Sequence, residues 1–412
     1  MKFYILFILM LGGVIKAEVP GFDGFFTLSA GPYKIEITGK NKFCIRKIIY
    51  KGYELGNDHG FYGTILATAP AKFIGAGHLE GGEEKVIAFN VKVDGKPVEY
   101  SSGTEISGGR IEYAKISVLD NLKVYVNAVI DRQGIKLNKH FEALDSQKIY
   151  SFYIFQFCFT EKSTQWLIGH PDGTTAAGSF KSDDGWHLRR ERDLLWFSQY
   201  VSSADKGMVG YFVSYFPGQG SYMFWDKKVY HKFYFSAKLP KYVKKGMKSR
   251  NYSIFLKGFD AKPKVWKEKA EAVAVELQKI YPLPEPPKTI KYDFEDLQNK
   301  VFELKGDGGF TCKKFPVYLK PDKEYGISFR IKKATQASKR PSDNYLIVGQ
   351  YDKARKFHII ASFAARVPCD GQWHEIKQKF HSPATINGCS IYVYNKNTKA
   401  SIWLDDLIVA EQ

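Results

Sequence analysis

The 412-residue chain is 44% hydrophobic and 25% charged, proportions that fit two or three folded globular domains and exclude a disordered or fibrous polymer. Its formal charge of +18 favours a polyanionic partner through long-range attraction. No recognised nucleic-acid-binding motif occurs, which leaves uronate-containing or sulfated glycans, or a membrane surface, as the polyanions of choice.

At the N-terminus, Met1-Lys2, an apolar run from Phe3 to Leu11 and a small-residue stretch ending at Ala17 have the three parts of an export signal with a cut after Ala17. The run is too short to span a bilayer, and no later stretch is long and apolar enough to be a transmembrane helix. Residues 1–17 are thus expected to be a signal peptide, and the protein secreted or periplasmic.

From Glu18 to about Gly258, short β-patterned runs alternate with turn chemistry. Examples are Tyr33–Ile37, Lys85–Val93 and Lys123–Ile130; Asp94-Gly95 follows the second as a hairpin dipeptide. Regular spacing over so long a stretch predicts a large antiparallel sandwich. One helix is expected from about Pro263 to Ile280, because Trp266, Ala270, Val273 and Leu277 form a single apolar stripe. Four prolines within 281–287 then predict a stiff extended linker. The expected division is residues 18–280, a linker at 281–287, and 288–412, an all-β fold throughout apart from that helix.

Five cysteines leave at least one thiol without a disulfide. Cys158, inside an aromatic strand-like run, reads as a buried hydrophobe, whereas two of Cys312, Cys369 and Cys389 are expected to pair in an oxidising compartment.

In the C-terminal part, Asp293-Phe294-Glu295, then Pro321-Asp322-Lys323-Glu324-Tyr325 leading to Phe329, then Gly371-Gln372-Trp373 and finally Trp403-Leu404-Asp405-Asp406 occur in an order that resembles the family 4/9 type of carbohydrate-binding module. The resemblance covers about 288 to the end. It implies a jelly roll, a core position for Trp373, and a structural calcium ion between Glu295 and Asp406, whose hard oxygen ligands suit that ion. Tyr345, Tyr351 and Phe357 are candidates for stacking on sugar rings.

The N-terminal part resembles the β-super-sandwich of galactose mutarotase and of polysaccharide lyases, on its long strand series, on Gly134–Glu142 and on Trp225–Lys232. An epimerase's acid–base set does not map onto these residues. Candidate chemistry lies in His78 and Glu80 of a glycine-rich stretch, in His170, in the cluster Trp186, His187, Arg189 and Arg190, and in Tyr230-His231. Eliminative cleavage of a uronate glycan needs a group to neutralise the carboxylate, a base and an acid, and Arg, His and Tyr can fill those roles without an organic cofactor. The expectation is a polysaccharide lyase on an acidic glycan with an appended binding module. The alternatives are a non-catalytic glycan-binding or adhesion protein, or a glycoside hydrolase, which would need two facing carboxylates.

Overall fold

The computed structural model describes residues 22–58, 62–171, 173–215, 220–283, 289–292, 301–337, 344–352, 356–363, 367–386, 388–396 and 398–412. The expected signal segment, most of the proline-rich linker and Glu295 lie outside them. The chain divides into two compact units, Met1–Leu283 and Pro284–Gln412, and is all-β sandwich in both, with one α-helix, as the strand and turn pattern predicts.

The first unit faces two large sheets. One has eleven described strands and runs from His187–Arg192 through Gly220–Lys227, Tyr230–Ala237 and Ser151–Phe159 to Phe25–Ala30 and Glu105–Ser107. The other has ten, from Thr175–Ser179 and Gln165–Gly169 through Tyr252–Asp260 and Gly134–Ala143 to Lys85–Val93 and Lys96–Val98. Pairing is antiparallel except for Phe25–Ala30 against Glu105–Ser107. The predicted Asp94-Gly95 hairpin is present, with positive φ at both residues (49° and 82°), as a type I′ turn requires.

Alternation drives the packing. Along Leu122–Asp131 every second residue is buried, so one face of the sheet must find another apolar face. The two sheets meet in an aromatic core in which Phe197 of one stacks on Phe233 of the other at 3.9 Å. The helix Trp266–Ile280 buries the predicted stripe, and Trp266 lies flat on Tyr200 at 5.0 Å. It starts three residues later than the pattern suggests, after a turn at Pro263 and Lys264.

The sandwich interior also contains two buried lysines, which strand patterning alone does not announce. Lys115 Nζ lies 2.8 Å from Glu84 Oε1, donates to the Lys42 carbonyl at 2.8 Å and is 3.8 Å from Cys44 Sγ. Lys139 Nζ donates to the Ile154 carbonyl (2.9 Å) and to Thr64 Oγ1 (3.1 Å), and has no carboxylate within ion-pair distance among the described residues. A cavity of about 20 Å³ beside them has room for one water. Burial pulls the Lys139 amine down to about 7.

The second unit is a sandwich of a five-stranded and a four-stranded sheet around Phe329, Ile331, Leu346, Val393 and Leu404. Two expectations fail here. No disulfide forms at any of the five cysteines. Cys389 lies at one end of the Phe310–Pro316/Ser390–Lys396 strand pair and Cys312 sits opposite Tyr394, about 17 Å along the strand at 3.3 Å per residue, far beyond disulfide reach. Trp373 is not a core residue: it pairs with Lys332 on the outer face of the five-stranded sheet, 37% exposed, with Arg330 over its ring at 5.1 Å.

The two ionic oddities of the core set a pH dependence. Between pH 7 and about 9 unfolded Lys139 keeps its proton and folded Lys139 loses it, so stability rises with pH, by at most about 1.4 kcal/mol per unit. Above that range the sign reverses, because burial raises the Cys44 and Cys158 thiols, the latter to about 12, while unfolded thiols ionise near 8.5. Thermal melts should therefore show a maximum near pH 8.5 to 9, and Lys139→Met should abolish the rise below it.

Candidate functional site

Three adjacent strands at the edge of the eleven-stranded sheet collect most of the sequence-selected residues of the first unit. His187–Arg192 pairs with Gly220–Lys227, which pairs with Tyr230–Ala237, so Leu188 lies opposite Trp225, His187 opposite Asp226, and Asp226 opposite His231. Trp186 is 71% exposed and tilts against Trp225 at 5.1 Å, with Lys227 Nζ 5.8 Å from both rings and bonded to the Gly185 carbonyl. His187 Nε2 is 2.6 Å from Asp183 Oδ1; that bond, with the Gly185 amide, holds the Asp183 carboxyl below its usual range. An indole pair with a cation and a carboxylate–imidazole pair at its margin is suited to a sugar ring, whose C–H face packs on aromatics while its hydroxyls seek polar groups.

Other members of the set behave differently. Arg189 is structural: its guanidinium lies 3.2 Å from the Trp166 ring centre and 4.5 Å from that of Phe224, pinning the edge strand to the opposite sheet, with Glu191 at 2.9 Å. Arg190, next along the strand, points the other way and is exposed. Tyr230 is half-buried under Lys232, 4.3 Å from its ring. His231 is fully buried, stacked on Phe180 at 4.4 Å.

His78 and His170 are elsewhere. His170 sits in the turn after Gln165–Gly169 with Nδ1 3.4 Å from the Asp193 carbonyl, beyond the Arg192 end of the edge strand and so about 20 Å of strand from His187. His78 pairs with Glu80 at 3.1 Å and packs on Phe73, in the wall of a surface pocket of about 120 Å³ lined also by Lys40, Lys42, Glu83 and Glu84. The four histidines thus do not converge in one cleft.

The second unit carries a broader aromatic surface, on the outer face of its four-stranded sheet. Cross-strand register aligns Cys312, Tyr394 and Tyr345 in one row and Lys314, Tyr392 and Ile347 in the next. Tyr345 stacks on Tyr394 at 4.8 Å, Phe310 leans on Tyr394 at 5.4 Å, Phe357 meets Tyr392 edge-on at 5.1 Å, and Tyr351 tilts on Phe357 at 4.9 Å. Lys396 Nζ binds the Tyr345 hydroxyl at 3.1 Å and lies 5.0–5.3 Å from three of these rings, while Lys314 lies 5.6 Å from Tyr392. Phe310 and Tyr351 are 59% and 50% exposed while Tyr392 is buried, so the array is open to a ligand at those outer rings. Tyr345, Tyr351 and Phe357 were legible as candidates; Phe310, Tyr392, Tyr394, Lys314 and Lys396 were not, although the alternating Tyr392 and Tyr394 signal one shared strand face.

Of the two carboxylates proposed for calcium, Asp406 lies in the left-handed region (φ 49°) at an irregularity of the last strand, with Oδ2 3.8 Å from Arg330 Nε. Arg330 also bonds Asp405 at 2.9 Å. One carboxylate beside a guanidinium falls short of the six to eight oxygens calcium takes, and among the described residues no cluster of three or more metal-ligating side chains occurs.

No protein family matches the sequence, and no curated protein does. Among solved structures, a galactose mutarotase-like protein from Lactobacillus casei aligns at a TM-score of 0.36 with 11% identity, over 57% of this chain and 100% of its own. A family 36 α-galactosidase from Geobacillus stearothermophilus aligns at 0.36 with 12% identity, over 58% of this chain and 41% of its own. A family 16 carbohydrate-binding module aligns at 0.21 with 20% identity, over 27% of this chain and 77% of its own. With every score below 0.5, the functional reading rests on the side chains themselves.

The division between structural and exposed groups is measurable by urea unfolding. Arg189→Ala should cost about 2–3 kcal/mol and Arg189→Lys should restore only part of it, since a desolvated cation–π stack favours the planar guanidinium. Trp186→Ala, at an exposed position, should stay within about 0.5 kcal/mol of the parent.

Proposed function

We propose that this protein recognises an acidic polysaccharide, with the aromatic face of the C-terminal unit as its main contact and the Trp186–Trp225 pair as a second. The observation that carries this reading is the array of Phe310, Tyr345, Tyr351, Phe357 and Tyr394 around the buried Tyr392, interleaved with Lys314 and Lys396. Stacked rings offer flat apolar area at a fixed spacing, which a chain of pyranoses can match. The two ammonium groups add attraction for carboxylate or sulfate at the same face, and the net charge of +18 supports the same preference at longer range. Export to the periplasm or the medium, read from residues 1–17, belongs to this proposal, since such polymers are met there.

Cleavage by β-elimination is the finer reading. What favours it is the edge cluster: His187 poised on Asp183, Tyr230 two strands over at the same end of the sheet, opposite Lys227, and Arg190 exposed. Because His78 and His170 stand apart from that cluster, binding is the better-supported activity of the two.

Binding to uronate-rich polysaccharides in affinity electrophoresis should be retained for the parent and fall at least tenfold for Tyr351→Ala and for Lys396→Ala. It should weaken steeply from low to high salt, because the screening length shrinks to about 8 Å at physiological ionic strength. Equal affinity for neutral and acidic polymers, unaffected by salt, would overturn the acidic preference. For cleavage, incubation with the same polymers should raise the ultraviolet absorbance of an unsaturated uronate and His187→Ala should abolish it; absence of new chain ends across a glycan panel would leave a binding protein.

Calcium is also proposed on the C-terminal unit, held between Asp406 and Glu295, the latter outside the described residues. An ion bound only by the folded chain would add about 2.7 kcal/mol at a hundredfold excess over its dissociation constant. Melting of the full chain should then shift downward on chelation, and superimposable curves would remove the ion.

A further inference from the structure

We infer that Ser182, His231 and Asp226 form a nucleophilic relay that cleaves acyl esters, and, resting on the glycan reading above, that the esters are those carried by a polysaccharide. The relay begins with a hairpin. Gly220–Lys227 and Tyr230–Ala237 place Asp226 directly opposite His231. Both side chains are withdrawn from solvent, His231 completely and Asp226 to 8%. His231 Nδ1 and Asp226 Oδ1 lie 3.4 Å apart without hydrogen-bond alignment, and neither atom has a hydrogen-bond partner among the described residues. Each is the nearest charge-complementary group for the other, and closing that gap would place the proton on Nδ1 and leave the lone pair on Nε2.

The hydroxyl reaches the ring from the other side. Asp226 Oδ2 accepts the Lys181 amide at 3.1 Å, and Phe180 stacks on the imidazole at 4.4 Å, so two residues of one short segment are tied to the pair. The next residue, Ser182, is exposed, and its Oγ lies 3.4 Å from His231 Nε2. Carboxylate, imidazole and hydroxyl therefore stand in the order that activates a serine, at separations that tighten when a substrate is seated. Among the described residues the amides of Asp183 and Asp184, directly after the serine, donate no hydrogen bond, which leaves them for a developing oxyanion.

The chemistry balances without a cofactor. Ser182 Oγ bonds to the acyl carbon as its proton passes to His231 Nε2, and Asp226 holds the resulting imidazolium at Nδ1. The carbon–oxygen bond to the sugar breaks as that proton moves to the leaving oxygen. Water then repeats the sequence on the acyl-serine, giving the carboxylic acid and restoring the hydroxyl. One ester and one water yield one acid and one sugar hydroxyl, with no change in oxidation state.

The test uses the full chain. A fluorophosphonate should add once, at Ser182, as read by intact mass and peptide mapping, and p-nitrophenyl acetate should be turned over. Ser182→Ala should abolish the adduct and lower turnover by about a hundredfold or more. His231→Gln, checked for native circular dichroism, should do the same with Ser182 still present, which a merely exposed serine would not require. No adduct on the folded parent, or turnover unchanged in Ser182→Ala, would overturn the relay. Acetate release from an acetylated polysaccharide is followed beside affinity electrophoresis of the same polymer. Labelling and aryl-ester turnover without polymer binding or acetate release would refute the saccharide ester as substrate; polymer binding without labelling would refute the relay and leave the glycan reading intact.

Discussion

The structure depends on the face-to-face burial of two large sheets, and the contact at its centre is Phe197 on Phe233, 3.9 Å apart. Around that pair, Phe157, Phe159, Phe212, Tyr222, Phe224 and Phe235 interlock across the gap, each supplying far more apolar area than an aliphatic residue could. Strands of period two cannot be stable alone with one apolar face in water. The sandwich is the arrangement that covers both faces at once.

The edge cluster hangs from this core. Arg189 bridges Trp166 of one sheet and Phe224 of the other, which anchors His187–Arg192 as the last strand of its sheet. A strand fixed in that way has one side paired and one side open, and the segment before it, 180–186, folds over the hairpin rather than trailing into solvent. Phe180 reaches inward to the ring of His231 and to Phe159, whereas Trp186 turns outward to Trp225. One short segment thus joins core packing to a surface rich in groups that bind or react.

The C-terminal unit solves the same problem with a different result. Its inner faces enclose an aliphatic core, and its outer four-stranded face carries aromatic rings where soluble sheets usually carry polar residues. Leaving such rings open is costly unless they are covered part of the time, and lysine stems across them are one cover. A ligand that displaces little water from polar groups and much from these rings is the other. In the first unit the corresponding tension is internal. Lys139 sits in the sandwich with only neutral acceptors, a charge that the surroundings keep partly unprotonated instead of pairing.

Residue pattern alone determined the fold class, the helix and its buried stripe, and the Asp94-Gly95 turn, because these depend on neighbours two to four positions apart. It also placed Trp186, His187, Tyr345 and Tyr351 among the residues worth attention, since their chemical types are informative wherever they lie. Pairing across the sheets decided the rest. Asp226 meets His231 through hairpin register, and Ser182 meets His231 only because Phe180 and Lys181 are bound there. Arg189 turned inward while Arg190 turned outward, a difference of one position that no local pattern resolves in a strand so mixed in polarity. Trp373 took the outer face and Cys312 stood far along the strand from Cys389 for the same reason. Side-chain direction in a sheet follows from register, and register is set by which strands pair, a tertiary property that the order of residues along one strand does not contain.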